Sequence, residues 1–126
     1  MEVCTSKKAE SKERIIRNIR EWMENNKFEG IRDKELDVSI LIYVNKQRYA
    51  WQDVDNISKV VLDAISNDRK KTKSNYLIDD DRQVIRLLAY KLMREEIPGM
   101  DTDEVRLSFR VHNPSKQMVL VDSEYI

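Results

Sequence analysis

Carboxylates are concentrated in two short segments of this chain, residues 53–59 (DVDNISK) and residues 78–84 (IDDDRQV). Because carboxylates repel one another, several of them in one place require a cation, a proton or full solvation. The chain has one Cys and one His, so a metal site here would have oxygen ligands only, which favours Mg²⁺ or Mn²⁺ over Zn²⁺. A metal of this kind lowers the pKa of a bound water and polarises a phosphate, which is the chemistry of phosphodiester hydrolysis.

The first segment places two carboxylates at the start of a predicted helix. Asp53 and Asp55 are two residues apart and would project to the same side if the backbone there is extended. Lys59 follows Asp55 by four residues, so a helix would bring it to the same face. There its ammonium could bind the phosphate, orient the attacking water or stabilise charge in the transition state. The positive end of the helix dipole would stabilise both the carboxylates and a bound phosphate.

The second segment contains three successive aspartates, Asp79, Asp80 and Asp81. All three cannot face one ion, and Mg²⁺ usually takes few carboxylates, so one or two of them would complete a site with the first segment. A plainer interpretation is that Asp55 or Asn56 caps a helix and that the three aspartates form a solvated turn. Spacing alone does not decide between the two interpretations.

Apolar periodicity predicts two helices. Residues 8–26 place apolar side chains at helical spacing with charged residues on the other side, and we expect this helix to end near Gly30. In residues 57–65 the apolar positions recur at i, i+3, i+4, i+7 and i+8, which specifies a short helix. Residues 66–76 are polar and lack periodicity, so they are expected to form an exposed loop.

Two segments alternate with the period of a strand. Residues 36–44 are expected to form a strand with one face in the core, and residues 105–111 a final strand after a turn at Pro98 and Gly99. Residues 82–96 fit a helix and a strand about equally well.

If residues 82–96 are a strand, a hairpin over residues 83–112 follows. The short apolar run at residues 118–121 would be an edge strand or an arm onto another subunit.

Length and charge limit what the chain can be. Its 126 residues fit one domain. With 23 basic and 23 acidic side chains, nothing global attracts it to nucleic acid or to an anionic membrane, so such contacts must rest on local patches. No apolar run approaches the roughly 20 residues of a membrane span, and the N-terminus is polar, so we expect a cytoplasmic protein with no membrane partner. Cys4 alone excludes an internal disulfide, and His112 is expected to be structural.

The two acidic segments resemble those of the RusA family of Holliday-junction resolvases, which are crossover-junction endodeoxyribonucleases of bacteria and their phages or prophages. The family's Asp-x-Asp-Asn block, with its following aliphatic residue and Lys, stands here as residues 53–59. Its Asp-Asp-x-Gln-Val block stands here as residues 80–84, and Lys91 is the counterpart of a lysine that ends the next strand. The resemblance extends over roughly residues 35–112.

The resemblance implies roles for five side chains. Asp53, Asp55 and Asp81 would be the essential catalytic and metal-binding carboxylates, Asp80 would lie beside the metal, and Lys59 would be the assisting cation. It also implies Mg²⁺ as cofactor and a homodimer whose two sites cut opposing strands of a four-way junction, which suits a two-fold junction.

We therefore expect a single α+β domain, a small mixed sheet of three to four strands packed with two helices. Its parts would be an N-terminal amphipathic helix within residues 1–30, a catalytic core at residues 35–112 and a tail at residues 113–126. The resemblance implies that residues 83–93 form a strand. The family usually begins with a Pro-containing strand and a basic, aromatic loop, and this chain is expected to begin with the charged helix instead.

The expected function is Mg²⁺-dependent resolution of four-way DNA junctions in recombination and repair. Trp51 could stack on an unpaired base near the crossover, although we expect it to pack beneath the site. Two alternatives are a catalytically silent module that holds junctions and a nuclease of the same chemistry that cuts flaps or forks. Because net charge is zero, DNA contact would rest on basic patches, for which the candidates are Lys46, Arg48, Arg69, Lys70, Lys71 and Lys73.

Overall fold

The structure, a computed structural model, describes residues 2–66 and 76–118 of the chain. In these residues it contains β1 (Glu2–Lys7), α1 (Lys12–Asn25), β2 (Leu36–Val44), α2 (Lys46–Trp51), α3 (Val54–Ile65), β3 (Val84–Met93) and β4 (Glu104–Val111). Short 3₁₀ turns at Asp81–Gln83 and Arg94–Glu96 flank β3. The α+β class is confirmed, with three α-helices in the described residues rather than two. None of these helices is long and apolar enough to cross a membrane.

The four strands form one mixed sheet in the order β1-β4-β2-β3. β2 pairs in parallel with β3 and antiparallel with β4, so that Ile40 lies between Ala89 and Leu107. The strand implied for residues 83–93 is confirmed, but the hairpin predicted over residues 83–112 is wrong, because β2 lies between its two members. Since every residue of β2 is buried, this strand takes the centre of the sheet and separates β3 from β4.

The N-terminus of the chain differs from its prediction. A helix is present, but it begins at Lys12, after the N-cap Ser11, and β1 precedes it and pairs antiparallel with β4. The expectation that the chain starts with a helix in place of a first strand is therefore wrong. The residues of β1 do alternate as in a strand, but the alternation includes a polar inward residue. Cys4 and Ser6, only 1% and 2% exposed, point inward and alternate with more exposed residues.

The helices α1 and α3 pack on one face of the sheet and form the core with it. The buried residues of α1 are Ile15, Ile19 and Met23, and those of α3 include Ile57, Val61 and Ile65. Burial of each large apolar side chain contributes about 1.5–3 kcal/mol, so this packing fixes both helices against β2. It therefore also fixes the position of the first acidic segment, which begins α3.

One face of β2, Leu36, Val38, Ile40, Ile42 and Val44, lies in the apolar core, as predicted. The other face is buried as well, outside that core. Its Asp37 is fully buried and accepts hydrogen bonds from Arg86 and Arg110, while His112 Nδ1 lies 2.7 Å from Asp37 Oδ1. The two arginines also donate to backbone carbonyls of residues 113–117, which ties the chain after β4 to this face. The apolar run at residues 118–121 lies beyond the described residues except for its first position.

Candidate active site

The first acidic segment begins α3 one turn earlier than the apolar periodicity indicates. Asp53 is the N-cap residue, with an extended backbone (φ −77°, ψ 137°), and its side chain makes no capping hydrogen bond. Asp55 lies in the first helical turn, so neither it nor Asn56 is the N-cap, and that expectation is wrong. Both carboxylates are exposed and make no hydrogen bond or ion pair with any residue that the structure describes. The positive end of the α3 dipole faces them, which favours their ionised form and a bound anion.

Lys91 of β3 holds this segment in place. Its Nζ donates to the carbonyl oxygens of Tyr49, at 2.7 Å, and Gln52, at 2.6 Å, and lies 4.7 Å from the centroid of the Tyr49 ring. Because Gln52 directly precedes Asp53, a strand of the sheet fixes the backbone that carries the first carboxylate. The resemblance identified Lys91 as the counterpart of a family lysine but predicted no contact for it. In the structure its hydrogen bonds position the backbone directly before Asp53.

Lys59 lies on α3 one turn after Asp55 and is exposed. The helix therefore brings the two side chains to the same face, as the spacing predicts. Among the described residues its ammonium has no ion-pair partner within salt-bridge distance. A cation one turn after an unpaired carboxylate can meet a phosphate that approaches the N-terminus of the helix.

Backbone bonds anchor the second acidic segment at the other end of α3. The N–H of Ile78 donates to the carbonyl oxygen of Ile65, the last residue of α3, at 3.1 Å. Ile78 also forms parallel β-bridges with Ser66 and Ile31, and it is fully buried. The aspartates that follow it are therefore attached to the C-terminal end of α3 and to the segment before β2.

Gln83 organises the backbone of the three aspartates. Its Oε1 accepts from the N–H groups of Asp79, at 2.8 Å, and Asp80, at 3.0 Å. Its Nε2 donates to the carbonyl oxygens of Ile31, at 3.3 Å, and Lys34, at 2.9 Å. Asp80 and Gln83 thus form a capping box around the 3₁₀ turn. From the sequence, Gln83 is identified only as part of the family's motif and has no predicted role. No local pattern predicts its hydrogen bonds to carbonyl groups about 50 residues away in the chain.

The three aspartates differ in their charge partners. Asp80 forms an ion pair with Arg82 at 2.9 Å, and chiefly that guanidinium, then the Arg82 backbone N–H, holds the pKa of Asp80 below its usual range. Asp79 pairs with Arg32 at 3.0 Å. Asp81 is exposed and forms no salt bridge with a described residue. Of the three, Asp81 is therefore the carboxylate whose charge is least neutralised and most available to a cation.

The helix α3 separates the two acidic segments. Asp53 lies at its N-terminal end and Ile78 at its C-terminal end, and a helix of twelve residues is about 18 Å long. Within residues 2–66 and 76–118 no group of three or more Asp, Glu, His or Cys side chains could hold a metal ion. One subunit thus brings Asp53 near Asp55 and Asp80 near Asp81, but keeps the two pairs apart. Their assignment to one metal stays a prediction.

The basic candidates have different surroundings. Lys46 is exposed at the start of α2. Arg48 donates to Asp103, a carboxylate only 4% exposed, at 2.8 Å, so this guanidinium already neutralises a buried charge. The structure gives no account of four candidates that lie outside the described residues, Arg69, Lys70, Lys71 and Lys73.

Trp51 does not pack beneath the site. The indole is 66% exposed at the end of α2, a helix with no buried residue, so the expectation of a packed position is wrong. Tyr49 takes the inner position instead and contacts the core, beside Lys91. An exposed tryptophan two residues before Asp53 leaves a flat apolar surface next to the acidic pair.

Comparison with known protein families gives a match for most of this chain. A family model described as endodeoxyribonuclease RusA matches residues 2–103, a range that includes β1, both acidic segments and Lys91. A comparison with curated proteins finds no match. The match covers most of the chain and includes the N-terminal strand that the sequence pattern concealed. This chain belongs to the RusA endodeoxyribonuclease family.

Proposed function

We propose that this protein is a Mg²⁺-dependent endonuclease that resolves four-way DNA junctions as a homodimer. The observation that carries the proposal is that Asp53 and Asp55 are exposed, without a partner among the described residues, at the N-terminus of α3 beside Lys59. Carboxylates of the segment would otherwise be expected to serve as caps or ion pairs. Membership of an endodeoxyribonuclease family gives this arrangement its chemistry.

The donor set fits Mg²⁺ or Mn²⁺. Asp53, Asp55 and Asp81 would be the ligands, since each is an exposed carboxylate without a salt bridge to a described residue. Asp80, which Arg82 already neutralises, would lie beside the metal. A metal held there would supply an activated water, and in a two-metal site the ions would stabilise the attacking and leaving oxygens of an in-line displacement. Lys59 would bind the scissile phosphate and neutralise charge that develops on its oxygens.

The separation of the two acidic segments supports a site built by two subunits. Mg²⁺ ligands lie about 2.0–2.1 Å from the ion, so segments at opposite ends of a helix of about 18 Å cannot share one ion. A partner subunit removes this difficulty if its acidic turn lies beside the N-terminus of α3. Each dimer then has two equivalent sites, because a two-fold interface repeats every contact.

The edge strand β3 is the surface best suited to that partner. In the described residues no strand pairs with it on the side away from β2. Three of its apolar side chains, Ile85, Leu87 and Tyr90, are 45%, 45% and 43% exposed. A long apolar edge strand invites pairing with another strand unless it is covered. Antiparallel pairing of β3 with its copy would bring the end near Lys91 beside the partner's acidic turn.

Among the described residues, Trp51 and Lys46 are exposed and would contact DNA. Aromatic rings stack on unpaired bases with little sequence preference. A tryptophan two residues before Asp53 would place such a base close to the cleaved phosphate. Lys46, five residues before Trp51, would bind backbone phosphates.

Cleavage of a synthetic four-way junction tests the proposal, with products mapped at nucleotide resolution in Mg²⁺. We expect paired, symmetric incisions by the parent and no cleavage by Asp55→Asn or Asp81→Asn. Asp101→Asn, which changes an exposed aspartate in the loop between β3 and β4, is the control and should cut like the parent. Junction binding without cleavage in Mg²⁺ or Mn²⁺ would instead indicate a silent binding module. Faster cleavage of flaps or forks would make it a nuclease of another branched structure.

A further inference from the structure

A pocket of about 190 Å³ opens between the start of α1 and the start of α3. Its walls come from residues 9–12 and Ile15, from Arg48 and Gln52, and from the first two turns of α3. Gln52 directly precedes Asp53 and Asn56 directly follows Asp55, so the pocket lies immediately beside the first acidic segment. It is smaller than the roughly 300–1,000 Å³ of sites for drug-sized ligands, which limits it to a group about the size of one heterocyclic ring system.

The walls of the pocket combine apolar surface with hydrogen-bonding groups. Ile15 and Ile57, only 3% and 4% exposed, lie behind the wall, and the half-buried Val60 presents the aliphatic surface that an occupant can contact. The side-chain amides of Gln52 and Asn56 make no hydrogen bond to a residue that the structure describes. Each amide offers two N–H donors and one carbonyl acceptor to an occupant.

We propose that this pocket takes one unstacked nucleobase of the strand that is cut, and that Gln52 and Asn56 read its edge. A base presents flat apolar faces and an edge of donors and acceptors, and side-chain amides match such edges with two hydrogen bonds. Val60 takes a face of the base, and Lys12 at the wall favours the phosphate that accompanies it. The pocket thereby selects the sequence at which the enzyme cuts.

This inference rests on the proposed binding of branched DNA, because a base that the enzyme unpairs at the junction centre leaves the stack at less cost than one inside a continuous duplex. It adds a consequence that metal-dependent cleavage alone does not have. One position near the cut should show base discrimination of about tenfold, the selectivity that one two-bond amide contact provides.

Fluorescent bases test the pocket directly. Junctions that carry 2-aminopurine or pyrrolocytosine at each position around the crossover are titrated with protein in Ca²⁺. Both probes are quenched by stacking, so a base that enters an aliphatic pocket becomes brighter. We expect a rise of severalfold at one position, lost in Val60→Phe, which fills the pocket, and in Gln52→Leu. Gln47→Leu, an exposed glutamine of α2 outside the pocket, should retain it.

A rise that survives Val60→Phe, or no rise at any position with either probe, overturns the pocket. Junction cleavage in Mg²⁺ by the same preparations separates the two proposals. If the protein cleaves the junction but no probe becomes brighter, the endonuclease proposal stands and the proposal of a base-reading pocket is wrong. A pocket signal without cleavage supports base recognition and overturns the endonuclease proposal instead. Circular dichroism and thermal unfolding establish that Val60→Phe is folded before either result is interpreted.

Discussion

The ammonium of Lys91 lies 2.6 Å from the carbonyl oxygen of Gln52, the residue directly before Asp53. The same ammonium donates to the carbonyl oxygen of Tyr49 at 2.7 Å. Strand β3 therefore holds the connection between α2 and α3 through one cation. Two carbonyl groups that a sheet lysine fixes leave the Asp53 backbone little freedom to move relative to the core.

Replacement of Lys91 by Met should impair cleavage more than folding. The variant leaves two carbonyls without their donor, so we expect a loss of about 2 kcal/mol in the free energy of unfolding. Displacement of Asp53 by about 1 Å should lower the cleavage rate about 100-fold. Urea unfolding and single-turnover junction cleavage measure the two effects. Lys116→Met, at an exposed lysine, is the control; a Lys91 variant that cuts at the parental rate would show that this contact does not position the site.

Replacement of Gln83 by Glu should loosen the acidic turn. Glutamate keeps an acceptor for the Asp79 and Asp80 N–H groups but loses the donor to the carbonyls of Ile31 and Lys34. It also adds a charge beside three aspartates, so we expect about 2 kcal/mol of destabilisation and weaker Mg²⁺ activation. Thermal unfolding and the Mg²⁺ dependence of cleavage measure these changes.

Gln83→Leu removes the same hydrogen bonds without an added charge and so separates the two effects, while Gln47→Glu, at an exposed position of α2, is the control for a carboxylate added away from the turn. If Gln83→Glu and Gln47→Glu have the same stability and the same Mg²⁺ dependence, Gln83 does not organise the turn.

Sequence periodicity predicts the helices and strands whose own residues carry an apolar pattern. It fails for strands whose formation or direction depends on pairing with another strand. Residues 36–44 and 105–111 form strands as their alternation indicates. β1 is concealed because its inward positions include Ser6, and only its pairing with β4 makes it a strand. The parallel direction of β3 likewise depends on β2, a partner about 50 residues away in the chain.

The residues of the candidate site also divide into those that local spacing predicts and those that depend on distant contacts. The carboxylates and Lys59 can be identified from spacing, because a helix of known period carries them. The predicted helix and the loop predicted after it leave the distance between the two acidic segments undetermined, and their separation follows from the bond between Ile78 and Ile65 at the C-terminal end of α3. Which ends of the sheet they occupy follows only from the parallel pairing of β2 and β3. The contacts of Lys91 and Gln83 span about 40 to 50 residues and have no local signal.

Asp37→Asn should destabilise the fold in a pH-dependent way. Chiefly the Arg86 guanidinium, against the opposing effect of burial and with help from His112 and Arg110, holds the pKa of Asp37 well below its ordinary value of 3.8. A lowered folded-state pKa stabilises the protein above pH 3.8, and this contribution is lost as the pH falls below 3.8 towards the folded pKa. The substitution removes one partner of a buried ion pair and should cost about 3 kcal/mol at neutral pH.

Urea unfolding of parent and variant between pH 7 and pH 2 measures this difference. The gap between the two should be constant near neutrality and should narrow below pH 3.8. Asp101→Asn, at an exposed aspartate, should show no such gap. A gap of the same size at every pH would mean that the charge of Asp37 does not stabilise the fold.

Leu87→Glu should convert the proposed dimer into folded monomers. Leu87 is 45% exposed in one subunit, so the substitution leaves the core intact, but pairing of β3 with its copy would bring two added carboxylates together. Like charges at an interface cost several kcal/mol, so the dimer dissociation constant should rise about 100-fold or more and cleavage should fall with it. Sedimentation at several concentrations measures the change. Val3→Glu, at a 40% exposed valine on the opposite edge of the sheet, should leave the dimer unchanged.

Mixtures of two inactive variants should regain cleavage if each site takes one acidic segment from each subunit. In a heterodimer of Asp55→Asn with Asp81→Asn, one site receives both substitutions and the other receives none. Random subunit exchange makes about half of the dimers heterodimers, so about a quarter of the parental sites return. Because each active dimer has one working site, the products should be single nicks rather than paired incisions.

The control mixture combines Asp53→Asn with Asp55→Asn, two substitutions in the same acidic segment. Each of its heterodimer sites contains one altered ligand, so this mixture should stay inactive although its subunits exchange equally well. Restoration in the first mixture and not in the second requires that the two acidic segments act across the subunit boundary. If both mixtures stay inactive while exchange is demonstrated by mass spectrometry, the segments would have to meet within one subunit, which the length of α3 opposes.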